Sequence, residues 1–597
     1  MPTTIEVNKQ SVEALLGSGK SKPFVIPEYQ RPYAWTDEQV ETLFEDLWDF
    51  TATSGGTERE SSYFLGSVVS YENEEGEQEI IEGLQRITAL FLLLRAIYTK
   101  LVATPASERT AEANNFIGKI EPTIWRTNKL TGMVDFKNIL LTSRVVNNEG
   151  NEILRSILET GKADENAKDN YSKNYRHFQE LFDKHSTENP LMVYQFIYAL
   201  LNQAILLPIT ADTQDTALTI FSTLNDRGLP LSDADIFKAK IYNQLASDDK
   251  KAFIDRWKDL DEQSTDANES IQQLFYYNMF YYRALDKDTK TTTPGVRKYY
   301  ATNKFERLYK PELLDTLFVI LNLWKVVNKG EELEDEAWSK NIKIRQTLDI
   351  LTSYPNEYWK YPVVIYYVCY RNEENFETRF ARFLNKLLME LMTKYLMIPT
   401  INAVKPDILK LNSAIVASDI PTFEFKTVDM AQLEPYIQNP NRNVVRMLLK
   451  TLAYEHQDDM LPAKWEIEHI FPQKWQTNYF PDEPDATIKG KIEHIGNKLP
   501  FEKKLNIVAG NGYFGKKKKE YTASKIVITK AMGTSDVMDW NLESITKRDI
   551  RVSDEVVKIM NRWNNEYLNT PVCEGKAGEP SEEELSQIEK FKKNGWI

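Results

Sequence analysis

A short segment in the last third of the chain combines side chains that could hydrolyse a phosphodiester. Glu468 and His469 are neighbours, Pro472 follows them closely, and two asparagines, Asn497 and Asn506, come later in the sequence. A neutral histidine can take a proton from water, and carboxylate and amide oxygens are ligands that Mg²⁺ accepts. These residue types predict a hydrolytic centre around one divalent metal ion, with His469, Asn497 and Asn506 as the candidate catalytic residues.

The residues of this segment are expected to have different roles. His469 is the predicted general base, and Glu468 and Asn506 are the predicted ligands of one Mg²⁺ or Mn²⁺ ion. Asn497 is better placed to hold the intervening loop to the histidine strand than to touch metal. Neighbours on a regular strand point to opposite faces, so a bend at the strand end, helped by Pro472, is needed to bring Glu468 and His469 to one site.

Lysines surround the second asparagine in an otherwise acidic chain. Lys and Arg total 74 against 88 Asp and Glu, so any contact with nucleic acid requires a local basic surface. A run of lysines is commonly a solvated face, but this run lies beside the predicted phosphodiester site. Contact with the DNA backbone is therefore predicted for Lys503, Lys504, Lys516, Lys517, Lys518 and Lys519.

A second group of residues, near the N-terminus, could bind a phosphate. A predicted strand ends at Glu82, Gly83 makes a tight turn, and Gln85 and Arg86 fall in the first turn of the next helix. The free N–H groups and the dipole of a helix N-terminus favour an anion, and a guanidinium can bind it through two hydrogen bonds. On its own, this pattern is equally typical of an ordinary strand-to-helix turn.

Two further segments accompany that turn. Residues 26–35 are rich in aromatic side chains, which are more often packing residues than a clamp for a base, and residues 221–232 are typical of a turn that leads into a capped helix. Taken together, the three segments resemble motifs of the ParB-like N-terminal domain of GmrSD-type restriction endonucleases, and that resemblance implies a nucleotide-binding site. Its candidate residues are Gln30, Arg31, Glu82, Gly83, Gln85, Arg86, Asn225 and Gly228.

The cysteine and histidine residues of this sequence argue against a disulfide framework and against a zinc site. The use of cysteine also indicates a reducing compartment. Cys369 and Cys573 are far apart in the sequence and can form neither a disulfide framework nor a Cys-based zinc site. His494 is interpreted as a loop residue or a phosphate contact, because two histidines without cysteine partners are poor support for zinc. The N-terminus lacks a basic and apolar leader, and no apolar run reaches the length of a membrane span. A cytoplasmic location is therefore expected.

The elements that must position these residues follow from the periodicity of the sequence. Hydrophobic residues make up 42% of the chain, which is typical of a globular protein with roughly two to four domains at this length. After about residue 105 the sequence is mainly helical, and a Leu-, Tyr- and Trp-rich block at 311–396 is interpreted as core. Strands are predicted at 24–27, 63–71, 79–81, 206–209 and 464–470, and helices at 37–50 and 84–101.

In combination, the two groups of motifs resemble the GmrSD-type restriction endonucleases. Residues 26–35, 63–69 and 221–232 are similar to motifs of the ParB-like N-terminal domain of that family, and the resemblance covers roughly the first 245 residues. Glu82 stands where the family has Asp, and Leu84 where it has Gln, which favours nucleotide binding over rapid hydrolysis. The segment from Glu468 to Asn506 resembles the DHIxP…N…N arrangement of HNH nucleases and the C-terminal domain of the family.

The resemblance implies an α+β fold that is mostly helical. A small α/β ParB-like domain is expected at 1–245, a helical middle region at 246–450, and a ββα-metal HNH domain with helices at 451–570. A linker and a terminal helix are expected at 571–597.

The implied function is that of a nucleotide-regulated, metal-dependent endonuclease that cuts or nicks double-stranded DNA and restricts modified phage DNA. GTP or ATP is the favoured nucleotide, and a homodimer is compatible with the resemblance. Two alternatives stay open. One is an NTP-dependent DNA-binding switch with an inactive nuclease domain, and the other is an unregulated HNH nickase.

Overall fold

The computed structural model describes most of the chain and divides it into two compact units, Met1–Asp259 and Leu260–Ile597. The chain is mostly helical, with a small mixed sheet in the N-terminal region, which confirms the predicted α+β class. Asn225, Gly228, Cys573 and the predicted terminal helix lie outside the described residues. The described residues are 6–19, 22–54, 61–128, 130–145, 148–214, 216–218, 220, 233–426, 428–476 and 483–570.

A mixed sheet forms the centre of the first unit. Its strand order is β1-β9-β4-β5-β3-β8, and β2 also pairs with β9. Strand β4 is parallel to β9 and antiparallel to β5, while β3 is parallel to both β5 and β8. The strands are β1 (Glu6–Val7), β2 (Gln10–Ser11), β3 (Phe24–Ile26), β4 (Tyr63–Glu72), β5 (Gln78–Glu82), β6 (Trp125–Thr127), β7 (Val134–Ile139), β8 (Leu141–Ser143) and β9 (Ala204–Ala211).

The strands predicted from sequence all form, but several others were missed. Strands β3, β4, β5 and β9 lie where they were expected. The chain after residue 105 is mainly helical, as predicted, but the sequence analysis missed β6, β7 and β8. Strands β6 and β7 form a separate hairpin, and β7 is largely exposed on both faces, so it lacks the alternation that marks a half-buried strand.

Helices of the first unit pack against the sheet. Helix α3 is buried almost all round over its apolar run, as expected for a helix at the centre of a core. Helix α2 begins where the capping box predicted, with Gln39 Oε1 accepting from the backbone N–H of Thr36 at 2.9 Å. The helices are α1 (Val12–Ser18), α2 (Asp37–Ser54), α3 (Leu84–Ala103), α4 (Ala111–Ile124), α5 (Asn148–Thr160), α6 (Asn170–Glu188), α7 (Val193–Tyr198), α8 (Asp233–Gln244) and α9 (Ser247–Asp266), which crosses the boundary between the units.

The second unit is built mainly from helices. The block predicted as core is buried, with Trp324, Tyr366 and Phe380 at or near zero exposure. None of the described helices combines the length and apolar character needed to cross a bilayer. The helices are α10 (Ile271–Leu285), α11 (Val296–Ala301), α12 (Leu313–Lys329), α13 (Ile342–Leu351), α14 (Lys360–Tyr370), α15 (Phe376–Met397), α16 (Lys405–Ala417), α17 (Glu434–Gln438), α18 (Val445–His456), α19 (Asp485–Ile492), α20 (Lys503–Ala509), α21 (Phe514–Thr522), α22 (Val527–Thr534) and α23 (Leu542–Leu568).

Two strands and a helix carry the C-terminal motif. Strand β10 (Trp465–His469) pairs antiparallel with β11 (Lys498–Glu502), and helix α20 follows β11 directly. The predicted strand at 464–470 is thereby confirmed. In this register His469 faces Lys498 across the hairpin. The arrangement places the histidine at the end of one strand and Asn506 in the helix that follows the other.

Candidate functional site

The predicted base, His469, contacts a carboxylate that the sequence analysis did not identify. Its side chain is only 16% exposed, and Nε2 lies 3.5 Å from Oε1 of Glu493. The other carboxylate oxygen of Glu493 lies 2.9 Å from Nζ of Lys498, the cross-strand neighbour of His469. Glu493 therefore links the histidine to the opposite strand.

Burial and the charge of Glu493 shift the pKa of His469 in opposite directions. Burial lowers the pKa of His469 below its ordinary value of 6.5, and the Glu493 carboxylate offsets part of that effect. Burial alone would raise the pKa of Glu493, but Lys498 and His469 hold it below its ordinary value. The imidazole is therefore mainly neutral near pH 7 and can accept a proton.

Glu468 points into the core of the C-terminal motif. It is 4% exposed, and its Oε1 accepts from the hydroxyl of Tyr521 at 2.6 Å and lies 2.8 Å from Nζ of Lys517. Lys517 also donates to the backbone carbonyl of His469. Both contacts come from one face of α21, since the two residues are four positions apart.

Asn506, the second predicted metal ligand, contacts a different acid. Its Nδ2 lies 3.4 Å from Oε2 of Glu466, whose Oε1 lies 3.5 Å from Nζ of Lys503. Glu466 was not predicted as a site residue. The period of a strand could have found it, because residues two apart lie on the same face and Glu466 is two residues before Glu468.

The side-chain oxygens of Glu468 and Asn506 are of the chemical kind that Mg²⁺ or Mn²⁺ accepts, and a shared metal ion stays a prediction. Each predicted ligand has one side-chain atom engaged and an oxygen left to coordinate. In Glu468 the engaged atom is Oε1, and in Asn506 it is Nδ2. No group of three or more His, Cys, Asp and Glu side chains suited to a metal occurs among the described residues. A site with two protein oxygens, completed by water and phosphate, is the kind that Mg²⁺ commonly uses.

Asn497 holds the loop between the two strands, which is the structural role expected of it. The residue is fully buried. Its Nδ2 donates to the carbonyls of Phe471 and Ile492, both at 3.1 Å, and its Oδ1 accepts from the N–H of Phe471 at 2.7 Å. These hydrogen bonds use the polar atoms of Asn497 within the protein, and its assignment as a candidate catalytic residue stays a prediction.

Helix α23 holds the same loop from the other side. A Cβ on Gly496 would lie 2.3 Å from the carbonyl oxygen of Ile545, so the close approach of this helix requires glycine. Arg548 is buried and donates through Nη1 to two carbonyls of the loop and to that of Lys498, the bond to Gly496 being 2.9 Å long. Burial lowers the pKa of Arg548 to about 10. The buried guanidinium thereby fixes the start of β11.

His494 belongs to this support and does not contact His469. Its Nδ1 lies 2.8 Å from Oδ2 of Asp549, which is also 2.8 Å from Nζ of Lys491. The other oxygen of Asp549 accepts from the N–H of Gly496 at 2.7 Å. A loop residue was one of the two interpretations of His494, and these contacts give its partner.

The predicted DNA-binding lysines divide into exposed and internal ones. Lys517 is buried against Glu468, and Lys518 donates to the carbonyls of Ser535 and Val537. The predicted DNA contact therefore needs correction for Lys517, because residues on one turn of α21 cannot all face solvent. The lysines with exposed side chains are Lys503, Lys504, Lys516 and Lys519.

The N-terminal motif forms the predicted strand–turn–helix. Strand β5 ends at Glu82, and Gly83 has a left-handed backbone with φ of 92° before α3 begins. Arg86 donates from Nη1 to the Ser67 carbonyl at 2.9 Å, and a Cβ on Gly66 would lie only 3.0 Å from its guanidinium. Burial raises the pKa of Glu82, and Arg86 offsets part of the rise.

Two glutamines join the first two N-terminal motifs. Gln85 accepts from the N–H groups of Ala34 and Trp35 at 2.7 and 3.2 Å, and its Nε2 donates to the Pro32 carbonyl at 3.1 Å. Gln30 is buried and donates to the Ile81 carbonyl at 3.1 Å. The side-chain amide of Gln85 is therefore used within the protein.

The aromatic residues of the first motif pack in the interior. Tyr29 and Tyr33 are about 95% buried, and Trp35 packs against the core of the first unit. This agrees with their interpretation as packing residues. Arg31 is 58% exposed, and its Nε lies 3.4 Å from Oδ2 of Asp235 at the start of α8. Of this motif, Arg31 is the predicted nucleotide-binding residue that is open to solvent.

Comparison with known families matches both halves of the chain. Residues 12–242 match the family described as GmrSD restriction endonuclease, N-terminal domain, and residues 429–552 match the family described as GmrSD restriction endonucleases, C-terminal domain. No curated protein matches the chain. The two matches cover more than half of the sequence and include both groups of residues described above. The chain therefore belongs to the GmrSD restriction endonucleases.

Proposed function

We propose that this restriction endonuclease is nucleotide-regulated and metal-dependent, that it cuts or nicks double-stranded DNA, and that it acts on modified phage DNA in the cytoplasm. The main observation in support of the proposed nuclease centre is the environment of the His469 side chain. Its pKa is lowered by burial, Glu493 lies 3.5 Å from its Nε2, and it ends the first strand of a ββα unit. This is the arrangement expected of an HNH nuclease.

In the proposed reaction, neutral His469 accepts a proton from the water that attacks phosphorus. Glu468 and Asn506 would hold Mg²⁺ or Mn²⁺, which stabilises charge on the phosphate and on the leaving oxygen when it is bound. Lys503, Lys504 and the exposed lysines of α21 would contact the DNA backbone near this centre.

The N-terminal unit is proposed to bind a nucleoside triphosphate, with GTP or ATP favoured, through its ParB-like motifs. The start of α3 supplies backbone N–H groups and the positive end of a helix dipole, and Arg86 stands in the first turn. Glu82 and Gly83 border the same turn. Binding is proposed as the primary event, because Glu82 and Leu84 differ from the residues of the family motif.

The test is a cleavage assay on the full chain with Mg²⁺ or Mn²⁺. Unmodified plasmid and heavily modified phage genome are compared with and without each NTP, for the wild type, His469→Ala and the control His456→Ala. His456 is a half-exposed histidine paired with Glu555 on the helices α18 and α23. We expect cleavage of the modified DNA, its loss in His469→Ala only, and a change of rate with one NTP.

Each other outcome removes one part of the proposal. Cleavage that survives His469→Ala would refute the assigned base. Equal cleavage of both DNAs would remove the dependence on modification. Cleavage that ignores every NTP and Arg86→Ala would identify an unregulated nickase, and NTP-dependent DNA binding without any cleavage would identify a binding switch.

A further inference from the structure

Glu468 receives two buried donors from one helix. Lys517 and Tyr521 stand one turn apart on α21, and both contact the same carboxylate oxygen, Oε1. The side chains of Lys517 and Glu468 are 2% and 5% exposed, and Tyr521 is fully buried. Two donors to the same oxygen restrict the rotation of the Glu468 carboxylate. Neither of these two contacts uses the second oxygen, Oε2.

The lysine also fixes the neighbouring residue. An ammonium has three N–H donors, and that of Lys517 reaches both the Glu468 carboxylate and the His469 carbonyl. A buried charge is tolerated only when it is paired and hydrogen-bonded, and these two contacts supply that pairing for Lys517. The ammonium of Lys517 therefore connects the carboxylate of Glu468, the predicted metal ligand, with the backbone of His469, the predicted base.

The tyrosine is held rigidly by its surroundings. Its ring packs edge-on against Phe501 of β11, with the ring centroids 5.1 Å apart. Because Phe501 is itself fully buried, the hydroxyl of Tyr521 is delivered to Glu468 from a fixed position. Metal-binding carboxylates are typically oriented by such hydrogen-bonded neighbours, whose loss weakens metal binding.

We propose that Lys517 and Tyr521 are positioning residues that orient Glu468 for a divalent metal ion, so that Lys517 acts through Glu468 and not as a contact to DNA. The inference rests on the proposed metal-dependent centre. It gives the buried lysine of the basic run a role distinct from that of its exposed neighbours Lys516 and Lys519.

A competing role makes the opposite prediction. A buried ammonium beside a carboxylate could instead compete with the metal ion for Glu468. Removing the ammonium would then tighten metal binding, whereas removing a positioning residue weakens it. Tyr521 separates the two roles as well, because its neutral hydroxyl can orient the carboxylate but cannot replace a cation.

The experiment measures Mn²⁺ binding directly in the full chain. The chain carries His469→Ala and is mixed with duplex DNA, and free Mn²⁺ is followed by electron paramagnetic resonance. The variants are Tyr521→Phe, Lys517→Met and Lys517→Arg. The controls are Tyr567→Phe, which removes a buried hydroxyl bonded to the Pro421 carbonyl, and Lys530→Met, which removes an exposed lysine of α22.

We expect Tyr521→Phe and Lys517→Met to weaken Mn²⁺ binding by about tenfold or more, with DNA binding in the absence of metal unchanged. Lys517→Arg keeps the charge and should recover part of the affinity. Both controls should bind Mn²⁺ as the parent does. Tyr521→Phe keeps the packed ring, so it tests the proposal even where Lys517→Met fails to fold.

Two results would overturn the inference. Unchanged Mn²⁺ affinity in Tyr521→Phe would show that the hydroxyl does not orient the ligand, and tighter binding in Lys517→Met would identify the ammonium as a competitor. Either result, in a chain whose wild type cleaves DNA with Mn²⁺, leaves the proposed function standing. Absence of both Mn²⁺ binding and cleavage in the wild type would overturn the two together.

Discussion

At the scale of single residues, the proposed chemistry depends on how strongly His469 holds its proton. Burial lowers its pKa, Glu493 raises it, and Lys498 and Lys517 lower it further. A base whose pKa lies below 6.5 is unprotonated at neutral pH, so activity should be present above that pKa and lost as the pH falls through it.

Replacing Glu493, the carboxylate partner of His469, tests the direction in which this pH dependence shifts. In Glu493→Gln the amide keeps the shape of the side chain but removes the negative charge that raises the pKa of His469. We expect the acid limb of the rate profile to move to lower pH, measured as initial cleavage rates between about pH 5 and pH 8. Glu483→Gln, an exposed acid before α19, serves as control. An acid limb that stays in place, or moves to higher pH, would contradict the assignment.

Several partners of the predicted site residues could not be read from the sequence. His469 and Asn497 stand in a recognisable spacing, and the loop-holding role expected of Asn497 matches its hydrogen bonds. Glu493 contacts His469 only because the loop returns to the hairpin, and Lys517 contacts Glu468 only because α21 packs behind it. Such contacts between distant residues depend on packing, which local periodicity does not encode.

At the scale of elements, the position of α23 depends on one glycine. Gly496→Ala would place a methyl group 2.3 Å from the Ile545 carbonyl oxygen, so the helix or the loop must move. We expect the free energy of unfolding of the second unit to fall by about 2 kcal/mol or more, from the overpacking of a tight contact, and cleavage to fall with it. Urea denaturation and the cleavage rate are the measurements.

A glycine in the helix that precedes this loop provides the matched control. A Cβ on Gly490, within α19, would meet nothing within 4 Å. Gly490→Ala should leave cleavage unchanged and stabilise the helix by up to about 1 kcal/mol, because alanine is the better helix former. If both variants lose the same stability, the close approach of α23 is not what requires Gly496.

The elements that were predicted and those that were missed differ in burial. Strands β4 and β5 bury several of their residues, and α3 carries a long apolar run, so they could be predicted from the sequence. The exposed strand β7 and the two-residue strands β1 and β2 have no such pattern. Strands β1 and β2 form by pairing with β9, which is distant in the sequence, whereas β7 pairs with its neighbour β6. Periodicity predicts neither kind of pairing.

At the scale of the whole molecule, an acidic protein must bind DNA through a limited basic surface. The net charge is −14, so the exposed lysines near the candidate centre should carry much of the salt dependence of DNA binding. The double variant Lys516→Ala, Lys519→Ala should reduce the slope of log K against log salt by about 2. Fluorescence anisotropy at several salt concentrations measures this slope.

The control for this prediction removes the same charge elsewhere. Lys547 and Lys558 are about three-quarters exposed on α23, and each is paired with an acid four residues earlier. The double variant Lys547→Ala, Lys558→Ala should leave the salt slope as it is. Equal effects of the two double variants would mean that net charge, and not a local surface, governs DNA binding.

The proposed nucleotide site and the proposed nuclease centre lie in different compact units. A substitution in one site should therefore leave ligand binding in the other unchanged. Arg86→Ala should weaken nucleotide binding by about tenfold or more, because a hydrogen bond to a charged phosphate is lost. His469→Ala should leave nucleotide affinity unchanged. Titration with a fluorescent GTP or ATP analogue measures both, with the exposed Arg126→Ala as control. Reduced nucleotide affinity in His469→Ala would contradict the separation.

The hydrogen bonds of Gln85 and Gln30 also bear on how such proteins can be recombined. They join the loop at 32–35 to the start of α3 and the segment at Gln30 to β5, although about fifty residues separate the partners in the sequence. A chimaera of two relatives with its crossover between 36 and 80 would combine the loop of one parent with the amide of the other. The two motifs should therefore come from the same parent in any chimaera. Crossovers should be placed before Phe24 or after Ala103.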